Sequence, residues 1–70
     1  MKYVELNTFL KIVGLATSGG EAKQLIQSGE ILVNGVSETR NRKKLVVGDR
    51  VTFKGQEFDV VSDVTKMGEE

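Results

Sequence analysis

Ser18-Gly19-Gly20-Glu21-Ala22-Lys23-Gln24-Leu25-Ile26-Gln27-Ser28-Gly29-Glu30-Ile31-Leu32-Val33-Asn34-Gly35-Val36 is the stretch whose reading decides the fold, because its period changes half-way. Up to Gly29 the apolar residues Ala22, Leu25 and Ile26 fall on one helical face. Ser18 with Glu21 three positions on is a capping box, each side chain satisfying a backbone donor orphaned at the helix start. Gly29 stands where a helix stops on a left-handed residue. The spacing predicts a helix over 19–28. Beyond it, Ile31, Leu32 and Val33 run into Asn34-Gly35 and then Val36. Asn-Gly between apolar runs is a strong hairpin signal, because both residues tolerate positive φ.

Working outward, Leu6, Phe9, Leu10 and Val13 recur at helical spacing, with Lys11 on the other face. Asn7 or Thr8 caps this first helix and Gly14 ends it. Val4-Glu5-Leu6 before it reads as extended. Residues 39–44 are polar and basic, a loop or exposed strand. Leu45-Val46-Val47 turns apolar again and Gly48-Asp49 reverses the chain. Val51 and Phe53 then alternate with polar residues, Gly55 turns, and Phe58 and Val60 alternate in the same way. The class is α+β: two short N-terminal helices packed on a small, mostly antiparallel sheet. The expected core is Leu6, Phe9, Leu10, Val13, Leu15, Ala22, Leu25, Ile26, Ile31, Val33, Leu45, Val51, Phe53, Phe58 and Val60. Residues 1–61 form the single domain, and 62–70, without periodicity, read as a disordered acidic tail.

With 70 residues there is one domain at most. A chain of this size buries roughly 60% of its surface, enough for one modest core and no deep catalytic cleft beside it. The sequence has no Cys and no His. That removes Cys nucleophiles, Ser-His triads, imidazole acid–base chemistry and the usual zinc sites. No apolar run approaches the ~20 residues that span a bilayer, and the N-terminus has no signal-peptide core. The expectation is a cytoplasmic monomer with no cofactor, no metal, no membrane contact, no small-molecule substrate and no enzymatic activity.

Formal net charge is zero, but its distribution is uneven. Residues 38–54 hold Arg40, Arg42, Lys43, Lys44, Arg50 and Lys54 against Glu38 and Asp49, a local +4. Residues 55–70 hold Glu57, Asp59, Asp63, Glu69 and Glu70 against Lys66, a local −4. Binding responds to the local patch rather than to the total.

Leu15-Ala16-Thr17-Ser18, then Ala22, Gln24-Leu25-Ile26, Gly29, Ile31 to Gly35 and Gly48-Asp49 follow one ordered pattern. It resembles the S4-like RNA-binding domain, the alpha-L motif, over residues 6–53. Within that family the chain is similar to short stand-alone bacterial members tied to ribosome maturation. The resemblance implies two helices on a small sheet and a structured RNA partner, often ribosomal. It also implies that the hairpin at Asn34 lies near the RNA. The family pattern has an Arg directly after the Ser that opens the second helix. Here Gly19 and Gly20 follow Ser18, and the first helix offers only Lys11, so weight shifts to the segment from Arg40 to Lys44.

Each candidate has a bland reading beside the functional one. Arg40, Arg42, Lys43 and Lys44 form either a phosphate clamp or a solvated loop, and Asn41 among them offers a base-edge or sugar contact. Thr17-Ser18-Gly19-Gly20 is either a phosphate-binding helix start, extended by Lys23 and Gln27 on the exposed side, or only a cap. Lys11 would join the same wall. The three Phe residues occupy core positions, and no stacking platform for unpaired bases is visible. That favours recognition of backbone and shape in folded RNA. Glu57, Asp59 and Asp63 read as solvent-facing strand residues rather than an acid–base pair. The competing functional class is a protein-interaction module that docks a partner through the sheet edge or through Val47 and Val61. Such a module would be insensitive to salt.

Overall fold

The computed structural model describes residues 2–65 and the backbone of 67–68. Strand β1 (Lys2–Glu5) runs directly into helix α1 (Leu6–Ile12), and helix α2 (Gly19–Gln27) follows. Six strands come after: β2 (Ile31–Val33), β3 (Val36–Ser37), β4 (Lys44–Leu45), β5 (Arg50–Phe53), β6 (Gln56–Asp59) and β7 (Met67–Gly68). A single 3-10 turn, Ser62–Val64, precedes β7.

The strands form two antiparallel sheets, in the orders β4-β1-β7 and β3-β2-β5-β6. Two tight hairpins set the register of the larger one. Asn34 and Gly35 take φ of 53° and 84°, which pairs Val33 with Val36. Lys54 and Gly55 take φ of 49° and 83°, which pairs Phe53 with Gln56. Positive φ at both turn residues matches the right-handed twist of the flanking strands. Asn accepts that conformation readily, whereas Lys54 is strained in it.

One apolar cluster joins both sheets to both helices. Leu6, Phe9 and Leu10 of α1, Ala22 and Ile26 of α2, Val4 and Leu45 of the smaller sheet, and Ile31, Val33 and Val51 of the larger all bury in it. Alternation along β1 sends Val4 inward and leaves Tyr3 and Glu5 on the outer face. Removing the Leu10 side chain to Ala would cost about 2–5 kcal/mol, the usual range for a fully buried leucine.

The structure departs from the sequence expectations at four places, the first being α1, which opens at Leu6 with Glu5 at its N-cap rather than on an Asn7 or Thr8 cap. Val4 and Ala16 are buried, whereas Val13, Leu15, Leu25, Phe53 and Phe58 only lean against the cluster. A lone Val between Tyr3 and Glu5 and an Ala within a turn carry no periodic signal. Residue 62 does not begin a frayed tail. Residues 62–64 make a 3-10 turn, Thr65 is buried with its hydroxyl donating to the Ser62 carbonyl (3.0 Å), and β7 pairs Gly68 with Lys2. One short turn and a two-residue strand leave no pattern in sequence, and their partner lies at the other end of the chain. Lys66, Glu69 and Glu70 lie outside the described residues. The strand over Leu45-Val46-Val47 is also shorter and earlier, at Lys44–Leu45, and Val47 is exposed.

Candidate nucleic-acid interface

The loop between β3 and β4 is fastened to the start of α1. The Leu6 N–H donates to the Lys43 carbonyl (2.8 Å) and the Asn7 N–H to the Asn41 carbonyl (3.1 Å). Two of the donors that a helix start leaves without partners thereby hold the loop's backbone in place. Arg40, Arg42, Lys43 and Lys44 line one open depression.

Two of these cations touch the protein's own acids. The Arg40 guanidinium grips Glu38 through Nε (2.8 Å) and a terminal nitrogen (3.2 Å), and Glu38 also accepts from the Arg40 backbone N–H (3.1 Å). The hydrogen bond from Arg40 holds the Glu38 carboxyl below its ordinary pKa, and the same bond makes Arg40 hold its proton more firmly. Arg42 Nε donates to Glu5 Oε2 (3.2 Å), across from β1. Both arginines remain largely in solvent, at 71% and 76% side-chain exposure, so the pairs are exposed ones that an incoming anion can replace. Lys44 lies over the Tyr3 ring, its Nζ 5.0 Å from the centroid. Among the described residues Lys43 makes no ion pair.

The other sequence candidates fall elsewhere. Lys11, Thr17, Ser18, Gly19, Gly20, Lys23 and Gln27 are all exposed, but none lines the depression. At the start of α2 the Glu21 N–H donates to Ser18 Oγ (3.2 Å), and the Glu21 carboxylate accepts from the Thr17 N–H (2.6 Å) and the Thr17 hydroxyl (3.1 Å). Glu21 thus reaches one residue further back than a capping box requires. A carboxylate thus stands beside the start of α2. Asn34 is engaged on the hairpin: its Nδ2 donates to Asp49 Oδ1 (3.0 Å) and its Oδ1 accepts from the Arg50 N–H (3.0 Å). It lines a different depression with Gly35, Gly48, Arg50, Thr52 and Glu57. Asn41 is partly buried, and its Oδ1 is buried without a donor among the described residues.

Glu5, Glu38 and Tyr3 are the residues of this face that sequence reasoning passes over. Glu38 is two residues from Arg40 and readable as a local pair. Glu5 is 37 positions from Arg42, and only the β1–β4 pairing brings them together. Among the described residues no group of three His, Cys, Asp or Glu is placed to hold a metal ion.

Comparison with known proteins bears on what such a face belongs to. The family model described as the S4 domain matches residues 1–61. The chain belongs to the S4 domain family. YbcJ of Escherichia coli strain K12 is 43% identical over 60 residues, which cover 86% of each chain. Its solution structure, described as revealing an alpha-L motif involved in RNA binding, superposes with a TM-score of 0.66 at 42% identity. That match covers 89% of this chain and 78% of YbcJ. RlbA of Bacillus subtilis strain 168, named a probable ribosome maturation protein, is 40% identical over 60 residues, 84% of each chain. The two helices and antiparallel sheets described above are the S4 and alpha-L fold.

Proposed function

We propose that this S4 domain binds structured RNA, ribosomal RNA foremost, and acts in ribosome assembly or maturation. The observation that carries the reading is the convergence of Arg40, Arg42, Lys43 and Lys44 on one open depression, on a loop whose backbone is held by α1. Arg presents a planar fork to two phosphate oxygens, and Lys acts as a mobile point charge. The names of YbcJ and RlbA support the RNA partner and the ribosomal setting respectively. Lys11 and Lys23, exposed on the two helices, are proposed as outlying phosphate contacts rather than as members of the clamp. The reading assigns the chain no catalytic step and no cofactor, and places it in the cytoplasm as a monomer, which sedimentation of the free protein checks.

The test is a binding titration of labelled ribosomal RNA fragments by the full chain, with Arg42→Ala and Lys43→Ala beside it. Affinity should fall with each substitution. A chain that binds no RNA even at low salt would remove the reading.

The exposed Val47 (59%) and Val61 (50%) support a second reading as a protein-docking face. The two lie close, since the Gly48 N–H donates to the Val60 carbonyl (3.2 Å). Docking there would depend on Val47→Ser and Val61→Ser and little on salt, the reverse of the RNA reading.

A further inference from the structure

The cationic depression continues onto an aromatic surface. Tyr3 and Glu5 share the outer face of β1, because Val4 between them is buried. Lys44 stands directly across from Glu5 on β4, with its neighbour Leu45 buried, so Lys44 is on that same outer face. The Lys44 ammonium lies 5.0 Å from the Tyr3 ring centroid, and Arg42 reaches the same face to meet Glu5 at 3.2 Å. Arg42 and Lys44 also line the depression. Two cations are thus shared between a phosphate-binding hollow and the surroundings of a partly exposed ring. Of the three Phe residues, Phe9 is buried and Phe53 and Phe58 pack partly on the core; the Phe53 ring lies under Lys54 (5.3 Å), which does not line the depression.

We propose that Tyr3 is a stacking site for one unpaired RNA base, and that the preferred ligand is RNA in which an unpaired nucleotide adjoins a duplex. This deepens the RNA-binding reading and rests on it. The duplex phosphates occupy the hollow at Arg40 and Lys43. The backbone then passes Arg42 and Lys44, and the next base lies against the ring. An exposed ammonium–ring contact is weak, so a phosphate draws Lys44 off the ring and leaves the π-face to the base. The hollow reads backbone, which every RNA has. The ring adds a preference for sites where a base is out of the stack, since only such a base has a free face.

Tyr3 is the one tyrosine and the chain has no tryptophan, so intrinsic emission reports this ring alone. The full chain is titrated with a short, fully paired RNA duplex and with the same duplex carrying a single bulged adenosine. Tyrosine emission and the anisotropy of labelled RNA are followed in parallel. The bulged RNA should quench Tyr3 and bind more tightly; the paired duplex should bind without the quench. Tyr3→Phe should keep the preference for the bulge. Tyr3→Leu should lower affinity for the bulged RNA by about five-fold or more, in the range of one lost base–aromatic stack, and leave the duplex unchanged. Matching thermal unfolding of the variants excludes a folding defect. Equal affinity for the two RNAs, with unquenched emission and salt-sensitive binding intact, would overturn the stacking site and leave the RNA-binding reading standing. Failure of both RNAs to bind at low salt would overturn both.

Discussion

Two cationic regions of this small protein make opposite use of arginine. In the loop after β3 and the first residue of β4, four cations meet two carboxylates, and each of the two arginines pairs with an acid. On the larger sheet, Arg50 alone is held by two, Asp59 Oδ1 at 2.9 Å and Glu57 Oε1 at 3.5 Å. The hydrogen bond to Asp59, and then the charges of Asp59 and Glu57, raise the Arg50 pKa. One region has positive charge to spare for a phosphate and the other has none. Segment charge along the chain counts Arg50 and Lys54 with the clamp, yet the fold separates them. A patch is defined by what the side chains face.

The largest expected effect comes from emptying the clamp. Replacing Arg40, Arg42, Lys43 and Lys44 together by Ala should lower RNA affinity about a hundred-fold or more and flatten its salt dependence, as read by anisotropy across a salt series. A protein that binds RNA as well without them has its site elsewhere.

Asp49 probes the opposite region. Its carboxylate accepts from the Val46 N–H (2.9 Å) and from Asn34 Nδ2 (3.0 Å), tying two turns together. Asp49→Ala should cost about 1–2 kcal/mol of stability in urea unfolding, as two lost hydrogen bonds at a partly buried site would. RNA affinity measured below the unfolding range should not change.

Glu38→Gln frees Arg40 and should raise RNA affinity by about two- to five-fold at neutral pH, since a competing charge at the clamp is gone. The acid response follows from the lowered Glu38 pKa. Whatever stability the Glu38–Arg40 pair adds is present above the unfolded carboxylate's pKa and is lost as pH falls through the lower folded value. Over that acidic window Arg40 is released, so affinity rises in the parent protein as it already has in Glu38→Gln. A difference between the two that stays constant with falling pH would contradict the pairing.

The smallest effect is expected at Arg50→Ala, within about two-fold in RNA affinity, because its charge is already met by acids. A loss as large as that of Arg42→Ala would erase the contrast between the regions.

Local chemistry was legible in the sequence and long-range pairing was not. Ser18 and Glu21 at a helix start, and Asn34-Gly35 at φ of 53° and 84°, announce themselves within a few residues. The run Arg40 to Lys44 announces the cationic depression, because charge density is a local property. Val4 is hidden because one apolar residue has no period, and the placing of β1 between β4 and β7 joins segments from both ends of the chain. That placement makes Glu5 a partner of Arg42 and brings Tyr3 under Lys44, so those two contacts were out of reach, whereas Glu38 could be read beside Arg40. At the helix-start candidates Ser18 to Gly20, Glu21 was visible as a cap, but the reach of its carboxylate back to Thr17 was not.

The most direct measurement is the dependence of RNA affinity on salt for the parent chain and for Arg42→Ala/Lys43→Ala. About four phosphate contacts on a duplex should give a slope of log affinity against log salt near −3 to −4, and removing two cations should bring it to about −2. A shallow slope in the parent, or one that the double substitution leaves unchanged, would contradict a clamp at residues 40–44.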